Sequence, residues 1–181
     1  MTQNNTMQKL SMDQLGRADV TSFKAQEKNP IVLVLDNVRS MHNVGSAFRT
    51  ADGFAIEKIY LCGITATPPH REIEKTALGA TQSVTWEHVK DTVETLKSLK
   101  EQGYTLIAVE QAEGSQMLNQ FEVQLDLKYA LVFGNEVNGV DEEVMEIVDH
   151  CIEIPQFGTK HSFNVSVTIG MVLWDFIQKR F

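Results

Sequence analysis

The chain has 181 residues, 43% of them hydrophobic, a formal net charge of -8 and two cysteines. That length supports one domain with its own core, and no apolar run approaches a membrane span. The acidic balance argues against a broad, nonspecific nucleic-acid binder, which needs a basic face. It does not exclude an enzyme that grips a few phosphates. Arg17, Arg39, Arg49, Arg71 and Lys160 all fall in expected loops or helix starts, where they could converge. Cys62 and Cys151 fit no zinc or Cys-x-x-Cys spacing and end apolar stretches, so both read as buried, reduced thiols. The polar start does not form a signal peptide, and the chain reads as cytoplasmic.

Residues 1–29 read as an arm rather than a second domain, with a short helix from Met7 to Leu15 ended by Gly16-Arg17. Asn29-Pro30 marks the boundary of the main domain, residues 30–181. Ile31 to Leu35 is a continuous apolar run, as expected of a strand buried on both faces. Asn43 can cap a helix that runs to about Phe54. Lys58 to Cys62 reads as the second strand, and a short helix follows from about Arg71 to Leu78. Ser83 to Trp86 is the expected third strand and Asp91 to Gln102 a helix with Val93, Leu96 and Leu99 on one face. Tyr104 to Val109, Ala130 to Phe133 and Cys151 to Ile154 complete six strands, with a helix from Asp141 to Val148 before the last. This alternation predicts an α/β fold, a mostly parallel six-stranded sheet with helices on both faces.

The final helix, about Asn164 to Lys179, carries two apolar stripes. One is Val165, Ile169, Val172, Leu173 and Phe176; the other is Val167, Met171 and Trp174. A helix apolar on two sides needs cover on two sides. A partner subunit or the monomer's own core would each supply the second cover.

Three polar, glycine-bearing stretches each follow an expected strand, where open α/β sheets bind ligands. They are Asn43-x-Gly45-x-x-x-Arg49-Thr50, Gly134-x-Glu136-x-x-Gly139 and Pro155-x-x-Gly158-x-x-x-Ser162-x-Asn164-x-Ser166. Together they resemble the signature of the TrmH-like (SpoU) RNA 2'-O-ribose methyltransferases of the SPOUT superfamily, from about Pro30 to the C-terminus. Phe163, Gln156 and Thr168 depart from the residues usual there, but no polar site residue is lost. The resemblance implies a C-terminal trefoil knot, which general topology rules would not predict. It implies S-adenosylmethionine as cofactor, a tRNA or rRNA substrate and a homodimer through the last helix. It places Glu110, Gln111, Gly134, Asn135, Glu136, Ile154, Pro155, Ser162 and Phe163 at the cofactor, and Ser162 and Asn164 at substrate positioning as well.

The chemistry can be read residue by residue. A sulfonium methyl is already electrophilic, so no metal is required, and the protein must position, handle a proton and place charge. The resemblance offers Arg49 as the general base. A guanidinium is effectively always protonated, so a charged clamp on a substrate phosphate is the preferred role. Asn43 serves as a helix cap, as an orienter of Arg49 or the ribose, or as both. Gly45 gives the close backbone approach that a bulky ligand needs. Glu136 is expected to salt-bridge Arg49 or to order its loop, and Asn164 is a good cap for the last helix. His161 matches no triad spacing. A dinucleotide enzyme is disfavoured because the first turn holds Gly45 alone. A non-catalytic RNA-binding module of the same fold is the alternative, and the opening motif favours ribose over base methylation.

Overall fold

The computed structural model describes residues 7–11 and 13–180. The first strand, β1 (Asn29–Asp36), is a row of β-branched and leucine residues that alternate between two cores. Ile31, Leu33 and Leu35 enter one, and Val32 and Val34 the other, all at 0 or 1% exposure. A strand buried on both faces must sit inside the sheet with helices above and below. Its parallel neighbours are β2 (Ile56–Cys62) and β6 (Lys128–Phe133). With β3 (Trp86–Val89), β4 (Tyr104–Val109), β5 (Gln116–Met117) and β7 (His150–Glu153) they form one sheet in the order β3-β2-β1-β6-β4-β7-β5, every pair parallel.

Helices α1 (Val20–Ala25), α2 (Met41–Gly53), α3 (Arg71–Ala77), α4 (Ala80–Ser83) and α7 (Val165–Gln178) feed the first core. Helices α5 (Thr92–Glu101) and α6 (Glu142–Met145) feed the second. On α7 the buried residues are Ile169, Val172, Leu173, Phe176 and Ile177. The stripe of Val167 and Trp174 stays exposed, at 52% and 59%. The Trp174 ring lies tilted against that of Phe54, 6.5 Å away. Among the described residues, no helix is long and apolar enough to cross a membrane.

Several expectations need correction. The sheet has seven strands, not six: Gln116–Met117 adds a two-residue edge strand on β7, too short for any period to reveal. The third strand is Trp86–Val89, not Ser83 to Trp86. Ala80–Ser83 is helical, and Trp86 to Val89 pair with Ile59 to Cys62. Of the arm helix expected from Met7 to Leu15, Met12 lies outside the described residues, Met7 to Ser11 are not helical, and only a 3-10 turn forms at Asp13–Leu15. That turn buries nothing, so no packing supports a longer helix. The helix of the arm is α1 instead, capped by Asp19 and anchored by buried Phe23. The helix expected over Asp141 to Val148 shrinks to Glu142–Met145. Cys62 is buried, as expected, but Cys151 is only half-buried, its thiol donating to the Glu110 carbonyl at 3.4 Å. Both thiols are free, and burial pushes the Cys62 thiol up to about 12.

Gly45 also acts differently from expectation. It faces no ligand. It lies where α2 crosses α3, and an added Cβ would stand 2.1 Å from Thr76 Oγ1 and 2.3 Å from the Ile73 carbonyl oxygen. Gly45→Val should therefore overpack this crossing and destabilise the fold by about 1–3 kcal/mol. Differential scanning calorimetry should find Tm lower by roughly 2–4 °C per kcal/mol; an unchanged Tm would show that the two helices separate freely.

Candidate active site

The carboxyl ends of β4, β6 and β7, with the segment entering α7, enclose a cavity of about 600 Å³. That size suits a nucleoside-sized ligand. Glu110 and Gln111 line it from β4, Gly134 to Gly139 from β6, Ile154 from β7, and Ser162 and Phe163 from the approach to α7. Of the expected cofactor residues, only Pro155 is not part of the lining. Glu153, Gln156, His161 and Thr168 line it too and were missed as site residues. Glu153 stands directly before Ile154, and that adjacency was its one sequence signal. Its carboxylate accepts from Ser115 Oγ at 2.7 Å. The lining holds three carboxylates and no lysine or arginine.

One hydrogen-bonded chain joins the three motifs beside this cavity. Asn43 Nδ2 donates to Glu136 Oε1 at 3.0 Å, and Asn164 Nδ2 donates to Asn43 Oδ1 at 3.1 Å. Asn43 is buried at 8% exposure, so both ends of its amide need partners and both have them. It is not the cap of α2. Ser40 is, its hydroxyl accepting from the Asn43 N–H, and Asn43 lies in the first helical turn. Asn164 does cap α7, its side chain accepting from Ser166 N at 2.9 Å.

Glu136 does not pair with Arg49. Its carboxylate accepts from the backbone N–H groups of Arg39 at 2.9 Å and Ser40 at 3.0 Å, at the entry to α2. A carboxylate there meets the helix dipole as well as two backbone donors. Burial alone would raise its pKa, but these N–H groups, its own N–H and the Asn43 amide outweigh burial and hold the carboxyl below its ordinary range. Glu136 thus orders two loops, the second of its expected roles.

The loop that carries Glu136 is closed by backbone. Asn135 N–H donates to the Gly139 carbonyl and Gly139 N–H to that of Asn135, both at 2.9 Å. Asn135 Oδ1 accepts from Val137 N, and its Nδ2 donates to the Asn37 carbonyl at 2.8 Å. The Asn135 side chain is therefore spent on the protein. Gly134 is glycine for an internal reason: an added Cβ would stand 2.1 Å from the Gly139 carbonyl carbon. A side chain at Gly134 would meet this backbone first. Glu110 braces the same loop, accepting from Val140 N at 3.0 Å and Gln111 N at 2.9 Å. Gln111 Nε2 donates to the His161 carbonyl at 2.7 Å, tying the β4 loop to the approach to α7.

Arg49 is not brought into this cavity. It is exposed on α2, seven residues on from exposed His42 and so on the same outward ridge. Among the described residues it forms no salt bridge. Gly45 turns toward α3 and Asn43 toward the cap of α7, and Arg49 stays exposed. Ser162 is exposed at the cavity rim.

Residues 30–174 match the family described as the SpoU rRNA Methylase family. The 23S rRNA (guanosine-2'-O-)-methyltransferase RlmB of Vibrio parahaemolyticus is 30% identical over 167 residues, 92% of this chain and 66% of that protein. The chain thus spans just under two thirds of the length of that relative. The TrmH/SpoU tRNA modifying enzyme of A. aeolicus superposes with a TM-score of 0.77 at 28% identity, covering 87% of this chain and 78% of that one. An AdoMet-bound rRNA methyltransferase from Sinorhizobium meliloti shares the fold at a TM-score of 0.77 and 24% identity, over 84% of this chain and 57% of that one. With its motifs assembled on one sheet edge and its main domain matched almost end to end, this chain belongs to the SpoU rRNA methylase family.

Proposed function

We propose that the chain is an S-adenosylmethionine-dependent RNA methyltransferase that modifies a ribose 2'-hydroxyl of tRNA or rRNA, working in the cytoplasm through domain 30–181 with residues 1–29 as an arm. The observation that carries this is the cavity itself: sized for a nucleoside, walled by backbone turns and three carboxylates, and bordered by the Glu136–Asn43–Asn164 chain. A lining with negative charge and no cation fits a ligand of net positive charge. When bound, the cofactor supplies a methyl group that is already electrophilic. Glu110, Gln111, the backbone of Gly134, Asn135 and Glu136, Ile154, Ser162 and Phe163 are the residues that would hold it; Pro155 would act only by shaping the turn.

The remaining work falls to the chain's own groups. Ser162 and Asn164 position the ribose, with Asn164 fixed by Asn43 and Asn43 by Glu136. Arg49 lies off the cavity, so it meets substrate from outside and clamps a phosphate with its permanently charged fork. That charge lowers the pKa of the neighbouring hydroxyl and stabilises the developing alkoxide.

We further propose the family's trefoil knot for the C-terminal segment, and a homodimer seated on the exposed stripe of α7. Val167 and Trp174 form an apolar face, and Phe54 beside Trp174 extends it to the end of α2. A partner there would border the ridge that carries Arg49.

Purified protein incubated with methyl-labelled AdoMet and total cellular RNA, followed by nuclease digestion and mass spectrometry, tests the activity. The expected product is a 2'-O-methylated nucleoside. A base-methylated product, or RNA binding with no transfer, would replace this reading with base methylation or with the non-catalytic module. Arg49→Ala should keep the AdoMet affinity measured by calorimetry and lower turnover by roughly a hundredfold or more. Arg49→Lys should retain partial activity with an unshifted pH profile, because lysine keeps the charge and loses the fork. A new ionisation near neutral pH in that variant would make this position the base. Trp174→Glu should convert a dimer to a monomer in light scattering at micromolar concentration, since a charge would be buried unpaired; a wild-type monomer rules the dimer out. For Glu136 the sign follows from its depressed pKa: its stabilisation is present above the ordinary carboxylate range and drains away as pH falls through the lowered value. Glu136→Gln should therefore have a lower denaturant midpoint than wild type at pH 7, and the gap should narrow on acidification. A gap that is constant with pH contradicts the ionic role.

A further inference from the structure

The cations of this acidic chain divide by place. Those on the body of the domain are tied down: Lys58 to Glu87 and Lys97 to Glu94 at 2.7 Å, Lys100 to Asp149 and Lys179 to Asp175 at 2.6 Å. Lys128 and Arg180 donate to backbone carbonyls. Beyond the arm, five have neither a salt bridge nor a side-chain hydrogen bond among the described residues: Arg39, Arg49, Arg71, Lys90 and Lys160. All five are exposed.

Three of them share one half of the sheet's carboxyl edge. Arg39 follows β1, Arg71 opens α3 after β2, and Lys90 follows β3 directly. These strands are neighbours in the order β3-β2-β1. With strands about 4.8 Å apart, the three strand ends span on the order of 10 Å. Exposed histidines fill the intervals. His42 Nε2 lies 2.7 Å from Glu72 Oε2, which joins the first turns of α2 and α3. His88 Nε2 lies 3.0 Å from the Gly63 carbonyl, which joins the end of β3 to the loop after β2. The other half of the edge, over β6, β4 and β7, holds the cavity with Glu110, Glu136 and Glu153. The two halves meet at Arg39, whose N–H is held by Glu136.

We infer that the β1-β2-β3 half of this edge, through Arg39, Arg71 and Lys90, is the track that holds the RNA strand flanking the target nucleotide. The inference rests on the RNA reading above and adds where the polymer runs. In a chain of net charge -8, cations left unpaired along neighbouring strand ends find no partner within the protein, and a row of phosphates neutralises them while the nucleic acid releases its condensed counterions. A row along neighbouring strand ends suits a polyanion rather than a single anion. The absence of lysine and arginine from the cavity lining assigns this charge to a second ligand, not to the cofactor.

The test uses the full chain, fluorescently labelled bulk tRNA and rRNA fragments, and a salt titration. The variant Arg39→Gln/Arg71→Gln/Lys90→Gln should bind both probes about tenfold or more weakly at 0.1 M salt. The slope of log affinity against log salt should fall by about 2, at roughly 0.7 per single-strand contact. The control variant Lys97→Gln/Lys100→Gln/Lys128→Gln removes the same charge from the body and should keep the wild-type slope. AdoMet affinity by calorimetry should be unchanged in both. The inference is overturned if the track variant keeps the wild-type affinity and slope, if the control loses as much, if the track variant loses AdoMet binding, or if wild type binds AdoMet but neither probe. Wild type that binds RNA with this slope but no AdoMet would instead sink the cofactor reading and leave the track standing.

Discussion

The side-chain amide of Asn43 is the contact on which the site depends. Its two ends reach residues 93 and 121 positions further along the chain, Glu136 and Asn164. Being buried, it cannot exchange either partner for water without cost. It therefore fixes the entry to α2, the loop after β6 and the start of α7 in one arrangement. Three segments with no sequence proximity become one surface because a single carboxamide can donate and accept at once.

Around that bridge the protein spends its polar groups on itself. Glu136 faces backbone N–H groups, Asn135 closes its own turn, Glu110 braces Val140 and Gln111 reaches the approach to α7. The glycines serve the same end. Gly134 passes against the Gly139–Val140 backbone, and Gly45 lets α2 and α3 touch. The cavity wall is thus preorganised before any ligand arrives, as electrostatic catalysis requires. Positive charge is displaced to the neighbouring strand ends, and negative charge is kept at the cavity.

Much of this was legible in the sequence. The run Ile31 to Leu35 declared a strand buried on both faces. The two stripes of α7 called for a second cover without saying whether core or partner supplies it, and Val167 and Trp174 stay exposed. The second and third motifs marked two of the strand ends that build the cavity, and the first marked the helix start that joins them through Asn43. Hydrophobic period could not reveal strand β5, two residues long, or the shift of β3 to Trp86–Val89, where register with β2 overrides local preference. Residue type also misled about roles. Asn43 looks like a cap, but Ser40, three residues earlier, takes that place and frees Asn43 for long-range bonds. Opposite charge left a Glu136–Arg49 ion pair open beside loop ordering, and the carboxylate's donors decide for the loop: they are the Arg39 and Ser40 N–H groups and the Asn43 amide. Glycine spacing does not say whether a ligand or another backbone needs the room.

If the Asn43 bridge is what unites the site, its two bonds must act as one unit toward the ligand. A double-mutant cycle with Asn43→Ala and Asn164→Ala, read as AdoMet affinity by calorimetry, measures this directly. The account predicts that each single change weakens binding and that the double variant is little worse than the weaker single, a coupling of about 1 kcal/mol or more. Strictly additive losses would show that the two residues act independently and would contradict it.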